Sequence, residues 1–257
     1  MLHQVFERAK AVLFDLDGTL ICGEEAISGA VETVNQLAAA GKRIVYLTNN
    51  ATRTRTATAR LLTEIGFAAA PEMVMTSSVA AVDLLLQISG AGNNVYVIGE
   101  DGLRQPLVDA GFVLVDGATA VDAVVVGLDR SITYERFTLA VRHVLAGATF
   151  IATNRDRVIP LPDGYAPGAG ALVALIETAT RVSPLLAGKP SPAIVAAALR
   201  LAQVDHTEAI LVGDNPETDI LAAKRAGVFS VFVETGVPIT EEITPDAKIS
   251  SLAELLR

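Results

Sequence analysis

The feature that most constrains this chain is an alternation. Short apolar, β-branched runs recur along it: AVLF (11–14), RIVYL (43–47), NVYVIG (94–99), FVLV (112–115), AVVVG (123–127), TFIAT (149–153), AILVG (209–213) and SVFV (230–233). Between several of them lie segments such as 30–42 and 54–66. Their apolar residues recur at helical spacing, and Gly41 and Gly66 are suited to close the helices. Continuous apolar strands alternating with helices imply right-handed βαβ units and a parallel sheet covered on both faces. The fold class expected is therefore α/β, a doubly wound, Rossmann-like parallel sheet.

In such a sheet, ligands bind at the carboxyl ends of the strands. The residues that follow each apolar run therefore matter most. AVLF runs into DLDGT, RIVYL into TNN, LLAG into KP, and AILVG into DNPETD. Asp15 at a strand end can attack phosphorus as a nucleophile. Asp17 can serve the same site only if the strand has ended and the backbone turns, which Gly18 makes easy. A carboxylate so placed can protonate a leaving oxygen and later deprotonate water. Read alone, the pair is equally well a surface turn, because Asp-Gly is a common turn dipeptide.

The other strand ends add to the pair. Asp214 and Asp219 bring more carboxylates to the same edge, and an oxygen-rich, nitrogen-poor set suits Mg²⁺. A cation would also relieve the repulsion among clustered carboxylates. Asp219 opens a helical segment, where an acid is favourable in its own right. Lys189, held before prolines in AGKPSP, can offset the acidic cluster and grip a transferring phosphoryl group. Thr48 and Asn49 offer a hydroxyl and an amide to phosphate oxygens.

Spacing locates an insertion. Between Asp15 and Thr48 there is room for one helix and one strand. Between Thr48 and Lys189 there is far more chain than a βα unit needs. The expected organisation is a catalytic core of residues 1–70 and 184–257, with an inserted α/β cap domain over 71–183.

DLDGT, the Thr-Asn pair, GKP and GDNPETD together resemble, in order and strand context, the four motifs of the haloacid dehalogenase superfamily of phosphotransferases. The resemblance covers essentially the whole chain. It implies that Asp15 is the nucleophile and Asp17 the acid/base, and that Thr48, Asn49 and Lys189 bind phosphate, as would Asp17. It implies a Mg²⁺ ligated by Asp15, Asp214 and the Asp17 backbone carbonyl, with Asp219 and Asn215 in or just beyond the metal shell. Asp17 speaks for phosphate ester hydrolysis, because the superfamily's dehalogenases lack an acid at that position. The segments DGTLICGEEAISGA and TNRDRVIPLPDGYAPGAGALVALIETAT look like the NagD-type phosphatases with a class IIA cap. That group includes nitrophenyl, nucleotide, phosphoglycolate, glycerol phosphate and pyridoxal phosphate phosphatases. Caps of this class often mediate dimers, which sets the expectation of a homodimer through the cap.

Composition bounds the partners. The 257 residues carry a net charge of -9, which offers no electrostatic footprint for nucleic acid or an anionic membrane. No apolar run reaches the ~18 residues of a membrane span. The first ten residues carry charges where a signal peptide needs an apolar core. Cys22 is the single cysteine, so no internal disulfide forms, and a cytoplasmic location is expected. We read Cys22 as a small loop side chain and PGAG (167–170) as a tight turn where the chain re-enters the core. Asn154, Arg155 and Asp156, after a cap strand, are the candidates for specificity contacts, and Arg53 and Arg55 for a second anion contact. The partner expected is a small phosphorylated metabolite. Three rivals are a phosphomutase on the same site, a receiver-like phosphoacceptor, for which the chain is too long, and a binding protein without turnover.

Overall fold

A computed structural model of the chain describes residues 2–88, 92–161, 163–235 and 243–256. They divide into two compact units. One comprises residues 1–48, 55–75 and 189–257, the other 49–54 and 76–188. These unit borders, after Met75 and Gly188, stand a few residues C-terminal of the borders expected from spacing. The short strand Val74–Thr76 joins the first sheet, and the strand Leu185–Leu186 joins the second. Both are too short to carry a periodic signal.

The first unit is built on a six-stranded sheet. Its order is Ala247–Ile249, Phe229–Val233, Ala209–Gly213, Ala11–Asp15, Arg43–Thr48 and Val74–Thr76. Strand Ala11–Asp15 pairs in parallel with Ala209–Gly213 on one side and Arg43–Thr48 on the other. Both faces are buried. Val12, Phe14, Ile44, Tyr46, Ile210, Val212, Val231 and Val233 belong to one apolar cluster. Their alternates Leu13, Val45 and Leu211 are buried as well. This explains why the strands read as continuous apolar runs rather than as alternating ones. Helices Ala30–Ala39, Arg55–Ile65, Pro192–Ala202 and Leu221–Ala226 belong to this unit.

The sequential neighbour of Ala11–Asp15 lies on one side of it, whereas Ala209–Gly213, reached only after the second unit, lies on the other. The winding therefore reverses at Ala11–Asp15. In an open parallel sheet, the crevice at such a reversal is where ligands bind.

The second unit carries its own five-stranded sheet, ordered Leu185–Leu186, Thr149–Ala152, Ala123–Val126, Asn94–Ile98 and Val113–Leu114. All its pairings are parallel. Tyr96, Ile98, Val124, Val126, Phe150 and Ala152 line one buried face. The inserted segment is thus an α/β lobe with a core of its own. A hairpin of Val158–Leu161 and Gly164–Pro167 projects from it.

PGAG (167–170) does not form the turn expected of it. Pro167 ends the hairpin, Gly168 is the N-cap, and helix Ala169–Thr180 begins at once. The glycines serve close approach. A Cβ at Gly168 or Gly170 would run into the backbone of Arg155 and Asp156. Among the described residues no helix is long and apolar enough to cross a membrane.

Candidate active site

The site grows from the carboxyl end of strand Ala11–Asp15. Asp15 is its last residue and is 6% exposed. The chain then turns at once: Leu16 O accepts from the backbone N–H groups of Leu20 and Ile21 at 2.9 and 3.0 Å, and Gly18 N donates to Ile21 O at 2.8 Å. Gly18 has φ of +94°, a region where a side chain is strained. A Cβ there would also overlap the Asp214 carboxylate. Glycine is therefore demanded twice, by backbone angle and by space. The turn leaves Asp17 exposed, forming a bridge to Ile21, while Asp15 stays buried.

The neighbouring strand supplies Asp214, the residue after Gly213, also 6% exposed. Next comes one turn of π-helix, Pro216–Ile220, capped by the Asn215 side chain, which accepts from Glu217 N at 3.0 Å. That turn brings Asp219 back over Gly213, where a Cβ would collide with it. Asn215 also donates its backbone N–H to Asp219 Oδ2 at 3.0 Å. Asp219 is fully buried.

Lys189 completes the cluster from a third segment. It is 3% exposed. Its Nζ lies 2.5 Å from Asp15 Oδ1 and 2.6 Å from Asp219 Oδ1. The chain beyond it is fixed by Ser191, whose hydroxyl caps helix Pro192–Ala202, and by Arg225, which donates to Pro190 O at 3.0 Å. Arg43–Thr48 ends alongside, with Leu47 in register with Asp15 and Thr48 buried one residue further on.

Three carboxylates thus share a buried space with one ammonium. Ligand oxygens of Asp15, Asp214 and Asp219 lie within 4.8 Å of one another. Burial, with the Asp15 charge behind it, pushes the Asp214 carboxyl up to about 6. The same two causes push Asp219 up to about 7, against the opposing pull of Lys189. For Lys189, burial alone would lower the pKa, but the Asp15 and Asp219 carboxylates reverse that and hold it above its ordinary value. The cluster has more negative charge than its single cation balances, so it retains protons or takes up a further cation.

The donor set fits a hard divalent cation. It is all oxygen, from three carboxylates whose ligand atoms lie within 4.8 Å of one another. Asp219 engages Lys189 and Asn215 N through its two oxygens, and Asp15 engages Lys189 and, at 3.3 Å, Thr19.

Sequence reading gave no role to Thr19, although it lies in the quoted DLDGT. The hydroxyl is fully buried, donates to Asp214 Oδ1 at 2.9 Å, and lies 3.3 Å from Asp15 Oδ2. Its signal was its place in the turn after Asp17, which a reading centred on charge passes over.

Asn49, one peptide bond after Thr48, is grouped with the second unit, as is the rest of 49–54. Asn154 is buried, with its amide engaged to backbone, and Arg155 pairs with Glu177 at 2.9 and 3.1 Å. Arg55 Nε donates to Pro71 O at 2.9 Å. Cys22 is exposed in a two-residue strand of a small hairpin.

Three buried carboxylates and a bridging lysine thus gather beside the strand at which the winding of a parallel sheet reverses. Comparison with known proteins identifies the class. The model for haloacid dehalogenase-like hydrolases matches residues 12–113, and a second, HAD-hydrolase-like, matches 186–255. An acid sugar phosphatase of Staphylococcus aureus is 40% identical over 234 residues, 91% of this chain and 90% of that protein. Among solved structures, a thermostable NPPase variant from Geobacillus stearothermophilus superposes with a TM-score of 0.90 at 37% identity, covering 96% of this chain and 98% of that one. NagD from Escherichia coli K-12 gives 0.89 at 35% identity, with the same coverage. A glycerol phosphate phosphatase from Mycobacterium tuberculosis, solved in complex with magnesium, gives 0.90 at 33% identity over 98% of this chain and 77% of that one. The chain belongs to the haloacid dehalogenase-like hydrolases and, among them, to the NagD-type phosphatases.

Proposed function

We propose that the protein is a Mg²⁺-dependent phosphatase of small phosphomonoesters, of the sugar and polyol phosphate kind, that works through an aspartyl phosphate on Asp15. The observation that carries this reading is the Lys189 bridge between Asp15 and Asp219 beside Asp214. The names of the relatives, an acid sugar phosphatase, a glycerol phosphate phosphatase and a p-nitrophenylphosphatase, support the substrate class.

In this reading an Asp15 carboxylate oxygen attacks phosphorus in line with the ester oxygen. The P–O bond to the leaving group breaks, and Asp17, on the exposed side of the turn, gives that oxygen a proton. Asp17 then takes a proton from water as the water oxygen attacks phosphorus, and Asp15 leaves with its electron pair. Lys189 orients Asp15 and offsets charge gathering on the phosphoryl oxygens. Thr48 and Asn49 bind those oxygens. Thr19 holds the Asp214 carboxylate in place.

Mg²⁺ would be held by Asp15, Asp214 and the Asp17 backbone carbonyl, with Asp219 and Asn215 just outside. Its contribution is to balance the carboxylates and polarise the phosphoryl group. The inserted lobe would read the leaving group, and in the family's manner would support a homodimer.

Phosphate release from a panel of small phosphomonoesters, with Mg²⁺ and with EDTA, tests the reading. Release that EDTA suppresses and that Asp15→Asn abolishes supports it. Isomerised product with no free phosphate would point to a mutase instead.

A further inference from the structure

The amide of Asn154 has an engagement that its place after a cap strand did not foretell. Its Nδ2 donates to Asn49 O at 2.9 Å, and its Oδ1 accepts from Asp156 N at 3.1 Å. A carbonyl can only accept and a backbone N–H can only donate, so the two partners fix which end of the amide is which. Asn154 is 5% exposed.

The same carbonyl has a second donor. Ser77, fully buried at the start of helix Ser77–Gln87, donates its hydroxyl to Asn49 O at 2.6 Å. The two lone pairs of Asn49 O are therefore both taken. On the other side, a Cβ at Gly188 would stand 2.6 Å from Asn49 Oδ1 and would overlap Thr153 O. Gly188 itself is fixed by its N–H to Thr153 O at 2.8 Å. Three separated segments, 77, 153–154 and 188, thus close around one residue, and that residue follows Thr48 by a single peptide bond.

We infer that Asn154 and Ser77 are positioning residues for phosphate binding: by holding the Asn49 carbonyl they fix the backbone and amide of Asn49 for the phosphoryl oxygens. This rests on the phosphate-binding role proposed above for Asn49. It reassigns Asn154, which acts on the phosphoryl group that every substrate shares and not on the leaving group that distinguishes one from another. Misplacement of a positioning group by a fraction of an ångström is costly in catalysis.

The test is steady-state kinetics of Asn154→Asp, Ser77→Ala and the double variant on a panel of phosphomonoesters. Inhibition by inorganic phosphate is measured alongside, well below each variant's unfolding midpoint. Asn154→Asp keeps the shape and the acceptor for Asp156 N, but sets an oxygen against Asn49 O. Each single variant should lose about three- to tenfold in kcat/KM, the worth of one hydrogen bond. The factor should be the same for every ester, and phosphate should inhibit more weakly to a similar degree. The double variant should lose more than the product of the singles, because either donor alone still holds the carbonyl. A general loss of folded protein would lower kcat without moving the phosphate inhibition constant. If the double variant does not fold, the two single variants decide. An unchanged kcat/KM and phosphate constant, in a preparation whose wild type is active and whose Asp15→Asn variant is not, overturns the inference and leaves the phosphatase reading standing. So does a loss that reorders the panel, which would make Asn154 a specificity contact. An inactive wild type overturns both.

Discussion

Lys189 Nζ sits 2.5 Å from Asp15 Oδ1 and 2.6 Å from Asp219 Oδ1, with all three groups less than a tenth exposed. One ammonium therefore holds together side chains from a strand end and a π-turn. Lys189→Met would leave three carboxylates in the same buried space with no cation. Removing one partner of a buried ion pair costs roughly 3–5 kcal/mol, so the metal-free variant should unfold at much lower denaturant concentration at neutral pH. The deficit should shrink near pH 5, where the carboxylates regain protons. Activity should fall at least 100-fold, since the cation also balances phosphoryl charge. Denaturant titrations at the two pH values and a phosphate-release assay check this.

Gly18 is held at φ of +94° with the Asp214 carboxylate where its Cβ would stand. Gly18→Ala should cost roughly 1–3 kcal/mol in backbone strain, and should displace Asp214 as well. The expected result is a lowered unfolding midpoint together with a weakened response to Mg²⁺, read by thermal unfolding with and without the ion. A variant that matches wild type in both would show that the turn has slack which its geometry denies.

The raised carboxyls of Asp214 and Asp219 give a pH signature. In the unfolded chain both lose their protons near 3.8, whereas in the metal-free fold they hold them to about 6 and about 7. Between those limits the folded state binds more protons, so the cluster's contribution to stability falls as pH rises. A divalent cation competes with those protons. The rise in unfolding midpoint on adding Mg²⁺ should be small at pH 5 and largest above pH 7. A rise independent of pH would place the ion elsewhere.

Much of this was legible from residue order. The strand runs at 11–14, 43–47, 94–99, 123–127, 149–153, 209–213 and 230–233 are strands because both faces of each sheet are covered, and that forces unbroken apolar runs. The strand ends of the first sheet pointed to Asp15 and Asp214, with Asp219 in the turn that follows, because a parallel sheet gathers its ligand groups at one edge; Lys189 was legible as the residue after LLAG, a run that pairs instead in the second sheet. What escaped was set by tertiary packing. Strands Val74–Thr76 and Ala247–Ile249 are too short for periodicity to register. The PGAG glycines serve backbone approach to residues 155 and 156, a contact across the fold that no local pattern encodes. Thr19 and Asn154 act through hydrogen bonds that reach partners distant in the chain, Asp214 and Asn49. Polar residues of that kind read as turn and loop until the partner is in view.

The central claim is that Asp15 takes the phosphoryl group, and one measurement bears on it most directly. Asp17→Asn is mixed with p-nitrophenyl phosphate, whose leaving group departs without a proton, so formation of the intermediate is spared while its hydrolysis loses its base. The reaction is quenched in acid and the peptides are mapped by mass, with Asp15→Asn as the control. The account predicts one added phosphoryl group on the peptide of strand Ala11–Asp15, localised to Asp15 and absent from the control. A phosphoryl group on another residue, or turnover that survives Asp15→Asn undiminished, would contradict it.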